Sequence, residues 1–142
     1  MLNGGPIAWS SHRQKCVSLS TTESEYVAAA AGSKEIIWMR RLLGDIDWKQ
    51  PNPTPLLCDN QSAIRLVRNP ELHQRTKHID VKYHFIRSLQ DDGTIDATYV
   101  NTEAQLADIL TKGLESARFR RLRSSIGVED FVAAGLSGYV GI

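Results

Sequence analysis

A chain of 142 residues suits one domain and is long enough to bury an ordinary core. Apolar and charged fractions of 42% and 23% exclude a disordered or fibrous chain, and a net charge of +1 names no partner by itself. No apolar run approaches the roughly 20 residues of a membrane helix, and the N-terminus lacks the charged and apolar regions of a secretory signal, so no membrane partner and an intracellular, cytoplasmic location are expected.

In chain order, Asn3-Gly4-Gly5 is turn chemistry, and Pro6 to Ser10, which alternates weakly and carries Trp9, suits an edge strand. Cys16 to Leu19 reads as a short extended segment. Ser20-Thr21-Thr22-Glu23 matches a capping box, in which the Ser20 hydroxyl and the Glu23 carboxylate satisfy free amides at a helix start. A long helix is therefore predicted from near Thr21, with Tyr26, Val27, Ala30, Ile37, Leu42 and Leu43 as its apolar stripe and Gly44 placed to stop it. Glu25 lies in its first turns, where the helix dipole favours a solvated acid. Ala28, Ala29 and Gly32 stand on neighbouring turns, small enough for close packing on a sheet that leaves the carboxylate unobstructed.

Asp45 to Thr54, with Pro51 and Pro53, is a connecting loop. Leu56-Leu57-Cys58 predicts a short buried strand that ends on Asp59, and Asn60 is suited to cap the helix that follows, from about Gln61 to Val67. Asn69-Pro70 ends that helix. Ile79, Tyr83, Ile86 and Leu89 predict an amphipathic helix from Thr76 to Gln90, Asp91-Asp92-Gly93 a turn, and Thr94 to Val100 a half-buried strand of period two. Thr102 to Leu110 reads as a cap and a helix that stops near Gly113, and Ser116 to Ser125 as a basic helix. Cys16 and Cys58, far apart in sequence, read as packed free thiols.

Ligands of open α/β sheets bind beyond the carboxyl ends of the strands, which gives Asp59 a privileged position. Glu25, Asp59 and Asp108 stand on three separate elements. Were they to converge, they would form a hard oxygen site suited to magnesium or manganese, because carboxylates in one crevice repel unless a cation neutralises them. His73, His78 and His84 with Asp80 do not make a zinc set, since His78 and His84 lie about 240° apart round a helix. Between Gln61 and Ser88, six basic residues (Arg65, Arg68, Arg75, Lys77, Lys82 and Arg87) face two acids, Glu71 and Asp80, and Arg118, Arg120, Arg121 and Arg123 form a second cluster. Such runs are usually solvated faces, but they also meet the requirement of a nucleic-acid backbone.

The segments Gly4-Gly5-Pro6-Ile7-Ala8-Trp9-Ser10-Ser11, Leu19-Ser20-Thr21-Thr22-Glu23-Ser24-Glu25-Tyr26, Cys58-Asp59-Asn60-Gln61-Ser62-Ala63-Ile64, Arg75-Thr76-Lys77-His78-Ile79-Asp80-Val81-Lys82-Tyr83-His84-Phe85 and Gln105-Leu106-Ala107-Asp108-Ile109-Leu110-Thr111-Lys112 resemble, in this order, the RNase H region at the C-terminus of copia-type LTR retrotransposon polyproteins. The resemblance implies an α/β fold, an RNase H-like mixed sheet flanked by helices, which here lacks the first strands of the family fold. Residues 1–127 would form the partial RNase H-like domain and residues 128–142 a C-terminal tail. It further implies two-metal hydrolysis of RNA in RNA/DNA hybrids during reverse transcription, with two Mg2+ or Mn2+ ions. The ligands it implies are Glu25, Asp59 and Asp108. Glu25 fits better than Glu23, because the family's glutamate precedes a bulky apolar residue and then small ones, as in Tyr26-Val27-Ala28-Ala29.

The basic side of the Arg75 to His84 segment makes Arg75, Lys77 and Lys82 the expected nucleic-acid contacts, and the resemblance makes the reverse transcriptase domain of the same polyprotein the expected partner, within a virus-like particle for an active element. The family's first aspartate lies upstream of the Asn3-Gly4-Gly5 turn at which this chain begins, and Asn101 to Ala107 lacks the histidine that many of these domains place there. With three of four ligands, activity is expected to be weak or absent, and the Leu56 strand is expected to expose an edge or re-pair. The competing expectation is a non-catalytic remnant that binds nucleic acid through its basic residues or a protein through that edge. No glycine-rich phosphate loop supports a nucleotide-binding module.

Overall fold

The computed structural model describes residues 4–14, 18, 20–68 and 77–129, with the side chains of 77–83 excepted. The chain forms two compact units, Gln14–Thr102 and a second made of Met1–Arg13 with Glu103–Ile142. All but Ser18 of the expected extended segment Cys16 to Leu19, the Asn69-Pro70 helix stop and the tail beyond Glu129 lie outside the described residues.

In the larger unit, helix α1 (Thr21–Asp45) starts where Ser20 Oγ accepts the Glu23 amide at 3.1 Å. Such a cap is worth about 1 kcal/mol over alanine. The helix ends otherwise than expected. It continues through Gly44, whose carbonyl accepts the Asp47 amide at 3.1 Å, and the residue in the left-handed region is Asp47, with φ 60°. Aspartate tolerates that conformation because its short polar side chain can hydrogen-bond locally. Arg40 organises the loop that follows by donating to Gln50 O at 2.7 Å, and to Asn52 O and Thr54 Oγ1 at 2.9 Å each.

That loop delivers β1 (Thr54–Cys58), which pairs in parallel with β2 (Ile95–Tyr99), Thr54 opposite Ile95 and Cys58 opposite Tyr99. Parallel neighbours need a crossover, here α2 (Gln61–Arg68) followed by α3 (Lys77–Asp91). Asn60 caps α2 as its sequence predicts, Oδ1 accepting the Ala63 amide at 3.0 Å. The turn after α3 also forms, with Gly93 at φ 73° and Asp92 Oδ1 accepting the Thr94 amide at 2.9 Å.

Tyr26 and Ala30 of α1, Ala63, Ile64 and Val67 of α2, Ile86 and Leu89 of α3, and Cys58, Ile95 and Ala97 of the strands form the core. Close approach of α1 to the sheet falls at Gly32, where a Cβ would stand 3.5 Å from Leu56 Cδ1. Strand β2 alternates as predicted, Ile95 and Ala97 being buried. Strand β1 is not the fully buried strand expected of its apolar run: Leu57 is 45% exposed, because the pleat turns alternate residues to a face that the core does not cover.

The two strand edges differ. Thr54 N donates to Thr94 O and Val100 N to Cys58 O, each at 3.0 Å, so Thr54, Leu56 and Cys58 turn their backbone groups to β2 and Pro55 and Leu57 turn theirs away. On the far side of β2, Gln90 Oε1 accepts the Ala97 amide at 2.8 Å and Arg68 donates to Ala97 O at 2.6 Å. Side chains thus occupy backbone positions that a third strand would otherwise use.

In the smaller unit, Pro6 to Ser10 does not form the expected edge strand; Pro6, Ala8, Trp9 and Ser10 instead line an apolar cavity of about 470 Å³ with Leu106, Ile109, Leu110, Ile126 and Val128. Nor does an α-helix cover Thr102 to Leu110. Two short 3-10 segments, Thr102–Ala104 and Leu106–Leu110, replace it, separated by Gln105 in an extended conformation that breaks the helical ladder. Helix α4 (Ser116–Ser125) forms as predicted and buries Leu122. Gly127, at φ 77°, sits where a Cβ would collide with the Gly4 carbonyl. No helix among the described residues is long and apolar enough to cross a membrane.

Ile86 is fully buried in the larger core. Ile86→Ala is expected to lower stability by about 3 kcal/mol, read as a lower urea midpoint with an unchanged slope; a midpoint equal to that of the wild type would contradict this core.

Candidate metal centre

Two elements of the larger unit meet at the carboxyl end of β1. The first turns of α1 present Glu25, and the strand end presents Cys58 and Asp59 as consecutive residues before the Asn60 cap. One carboxylate oxygen of Glu25, one of Asp59 and the Cys58 Sγ all lie within 4.8 Å of one another. Two carboxylates this close repel each other when both are ionised. Packing of α1 on β1 holds them together despite this. Glu23, the competing glutamate, is not part of this group; its backbone amide donates to the Ser20 cap.

Cys58 is 7% exposed and free. Its sulfur lies 3.5 Å from Asn60 N and 3.7 Å from Asn60 O, so it takes part in the strand-to-helix turn. Burial pushes its thiol above the ordinary range; the Asn60 backbone hydrogen bond pulls it down, and the charges of Glu25 and Asp59 push it further up. The packed free thiol that the sequence predicts at Cys58 is buried in the structure. Its place in the cluster follows from its adjacency to Asp59 at a strand end, the one signal in the sequence that pointed to it.

Asp108, in the smaller unit, is 3% exposed and its charge is already balanced. Arg118 Nη2 donates to Oδ2 and Lys112 Nζ to Oδ1, both at 2.7 Å. Arg118 Nε also lies 3.5 Å from Glu103 Oε2, and Arg121 Nη2 donates to the Glu103 carbonyl at 3.0 Å and to Oε2 at 3.2 Å. Two of the four arginines of the second basic cluster therefore bind acids of their own unit. Arg68, from the first cluster, is likewise engaged with Ala97 O and with Asp96 at 3.3 Å. The side chains of Arg75, Lys77 and Lys82, the expected nucleic-acid contacts, and of His73 and His78 lie outside the described residues; His84 is exposed.

The chain is 44% identical over 126 residues to the retrovirus-related Pol polyprotein from transposon TNT 1-94 of Nicotiana tabacum, a match covering 89% of this chain and 9% of that protein. It is 43% identical over 123 residues to the corresponding polyprotein from transposon RE1 of Arabidopsis thaliana, covering 87% and 8%. The Ty1-JR2 Gag-Pol polyprotein of Saccharomyces cerevisiae is 28% identical over 123 residues, covering 86% and 7%. The chain thus spans less than a tenth of the length of these relatives. No family model and no solved structure matches it. This homology supports a segment of a retrotransposon Pol polyprotein.

Two outcomes test the local electrostatics. Asp108→Ala removes the buried carboxylate that pairs with both Arg118 and Lys112 and is expected to cost about 3 kcal/mol, measured by denaturant unfolding. For Cys58, a thiol raised in the folded state contributes stability that is complete below the ordinary thiol range and is lost as pH rises through the raised value. Alkylation of Cys58 by iodoacetamide, followed by peptide mass spectrometry, is therefore expected to need a higher pH in the folded chain than in urea; coincident profiles would contradict the burial.

Proposed function

We propose that this chain is the RNase H segment of a copia-type retrotransposon Pol polyprotein, which contributes carboxylates to metal-dependent hydrolysis of the RNA strand in RNA/DNA hybrids. The observation that supports it most is the convergence of Glu25 and Asp59, from a helix start and a strand end, in a chain homologous to Pol polyproteins. Two half-buried carboxylates suit a hard divalent cation, Mg2+ or Mn2+. A bound ion there would act as a Lewis acid and lower the pKa of a bound water. Glu25 and Asp59 would hold it, the first fixed by the packing of α1 and the second by the strand and the Asn60 cap.

A ligand role for Asp108 requires release of Arg118 or Lys112. With two carboxylates converged and the third neutralised by cations, the activity of the chain by itself is weak. Arg75, Lys77, Lys82 and the exposed Arg120 would contact phosphates, and hybrid selectivity would come from duplex shape and 2′-hydroxyl groups. The partner on this reading is the reverse transcriptase domain of the same polyprotein, and the setting is cytoplasmic, within a virus-like particle.

A second reading, a non-catalytic interaction segment, is favoured by the outward backbone groups and the exposed side chain of Leu57 on β1. A labelled RNA/DNA hybrid separates the two. Slow cutting of the RNA strand with magnesium or manganese is expected, abolished by chelator and slowed by about 10²-fold or more in Asp59→Asn and Glu25→Gln. Equal cutting by these variants, or none by the wild-type chain in manganese, overturns the hydrolytic reading. Salt-sensitive hybrid binding without cutting, or association through the β1 edge, would then support the second.

A further inference from the structure

We propose that Cys58 turns the Glu25–Asp59 pair into a mixed oxygen–sulfur site that takes a thiophilic divalent cation, of the zinc or cadmium class, in place of a hard one. The inference rests on the reading of Glu25 and Asp59 as metal ligands but not on hybrid hydrolysis. Its ground is geometric: the Cys58 Sγ and one oxygen of each carboxylate lie within 4.8 Å of one another, donors drawn from two elements rather than one run of chain.

A tetrahedral zinc ion bonds sulfur at about 2.3 Å and carboxylate oxygen at about 2.0–2.2 Å, which sets neighbouring donors about 3.3–3.8 Å apart. Closing the observed spread of up to 4.8 Å to that geometry takes a contraction of about 1.5 Å at most, which side-chain rotation supplies. The strand and the Asn60 cap fix the backbone at Cys58 and Asp59, so adjustment there falls to their side chains. A water fills the fourth position, as in zinc sites with three protein ligands.

The sulfur decides which ion is held. Magnesium prefers oxygen donors and keeps its waters, so it uses the two carboxylates and leaves the thiol protonated; zinc and cadmium bind thiolate strongly. On binding, the S–H bond breaks, the proton leaves to solvent, and the sulfur lone pair forms the metal–sulfur bond. The two carboxylates offset the charge of the ion. Occupation by the soft ion removes Glu25 and Asp59 from use by magnesium, so the site carries an antagonism between the two classes of cation.

Cadmium titration of the whole chain, followed by the ultraviolet thiolate-to-cadmium charge-transfer band, tests this. The expected result is one thiolate band per chain that persists in Cys16→Ser, disappears in Cys58→Ser of unchanged circular dichroism, and needs at least about tenfold more cadmium in Glu25→Gln and Asp59→Asn. Should Cys58→Ser fail to fold, the carboxylate variants, which keep the thiol, decide: titration like the wild type overturns the proposal. A band that survives in folded Cys58→Ser, or no band in the wild-type chain, also overturns it. A normal band in a chain that cuts no hybrid upholds this inference and counts against hydrolysis; cutting without a band does the reverse.

Discussion

Parallel pairing of Thr54–Cys58 with Ile95–Tyr99 obliges the chain to leave one end of the sheet and return to the other, and the packing of the larger unit follows from that journey. The return path is α2 and α3, whose apolar faces close over Ile95, Ala97 and Cys58, and α1 covers the same core through Tyr26 and Ala30. Strand β1 consequently ends where α1 begins its second turn. Asp59 and Glu25 are brought together by this packing rather than by any attraction between them, since their charges repel.

That repulsion is the energetic oddity of the fold. Two carboxylates and a buried thiol share one corner of the larger unit, and their mutual influence is visible in the thiol, which burial and both acids push upward. Asp108 shows the opposite solution. It is the more buried carboxylate, and Arg118 and Lys112 balance it at 2.7 Å each. One chain therefore holds an acid balanced by two basic side chains in its smaller unit and two acids close together beside a buried thiol in its larger unit.

Much of the larger unit was legible in its sequence because the signals are local. Ser20 and Asn60 cap helices through amides three residues on, and Asp92-Gly93 turns the chain within its own hydrogen bonds. Period-two alternation located Ile95 and Ala97, since burial on one face is all that such a pattern encodes. The failures are those of context. Leu57 is as apolar as Leu56, so only the tertiary position of the helices could show which of them is covered. Thr102 to Leu110 has a helical composition, but the extended Gln105 divides it into two 3-10 turns. For the site, Glu25 and Asp59 were nameable from their motifs, whereas the sulfur beside them became a donor only once distances were known.

The side chains of Gln90 and Arg68 that satisfy Ala97 carry a consequence for how copies of this chain can meet. Open-ended stacking of sheets into a filament needs two receptive edges on every molecule, one to offer and one to accept. Here the β2 edge is closed at Ala97, and the β1 edge lacks an N–H at Pro55 and keeps its outward groups at Leu57. Among the described residues, a further strand would find the Ala97 backbone groups already taken and those of Leu57 turned away from β2.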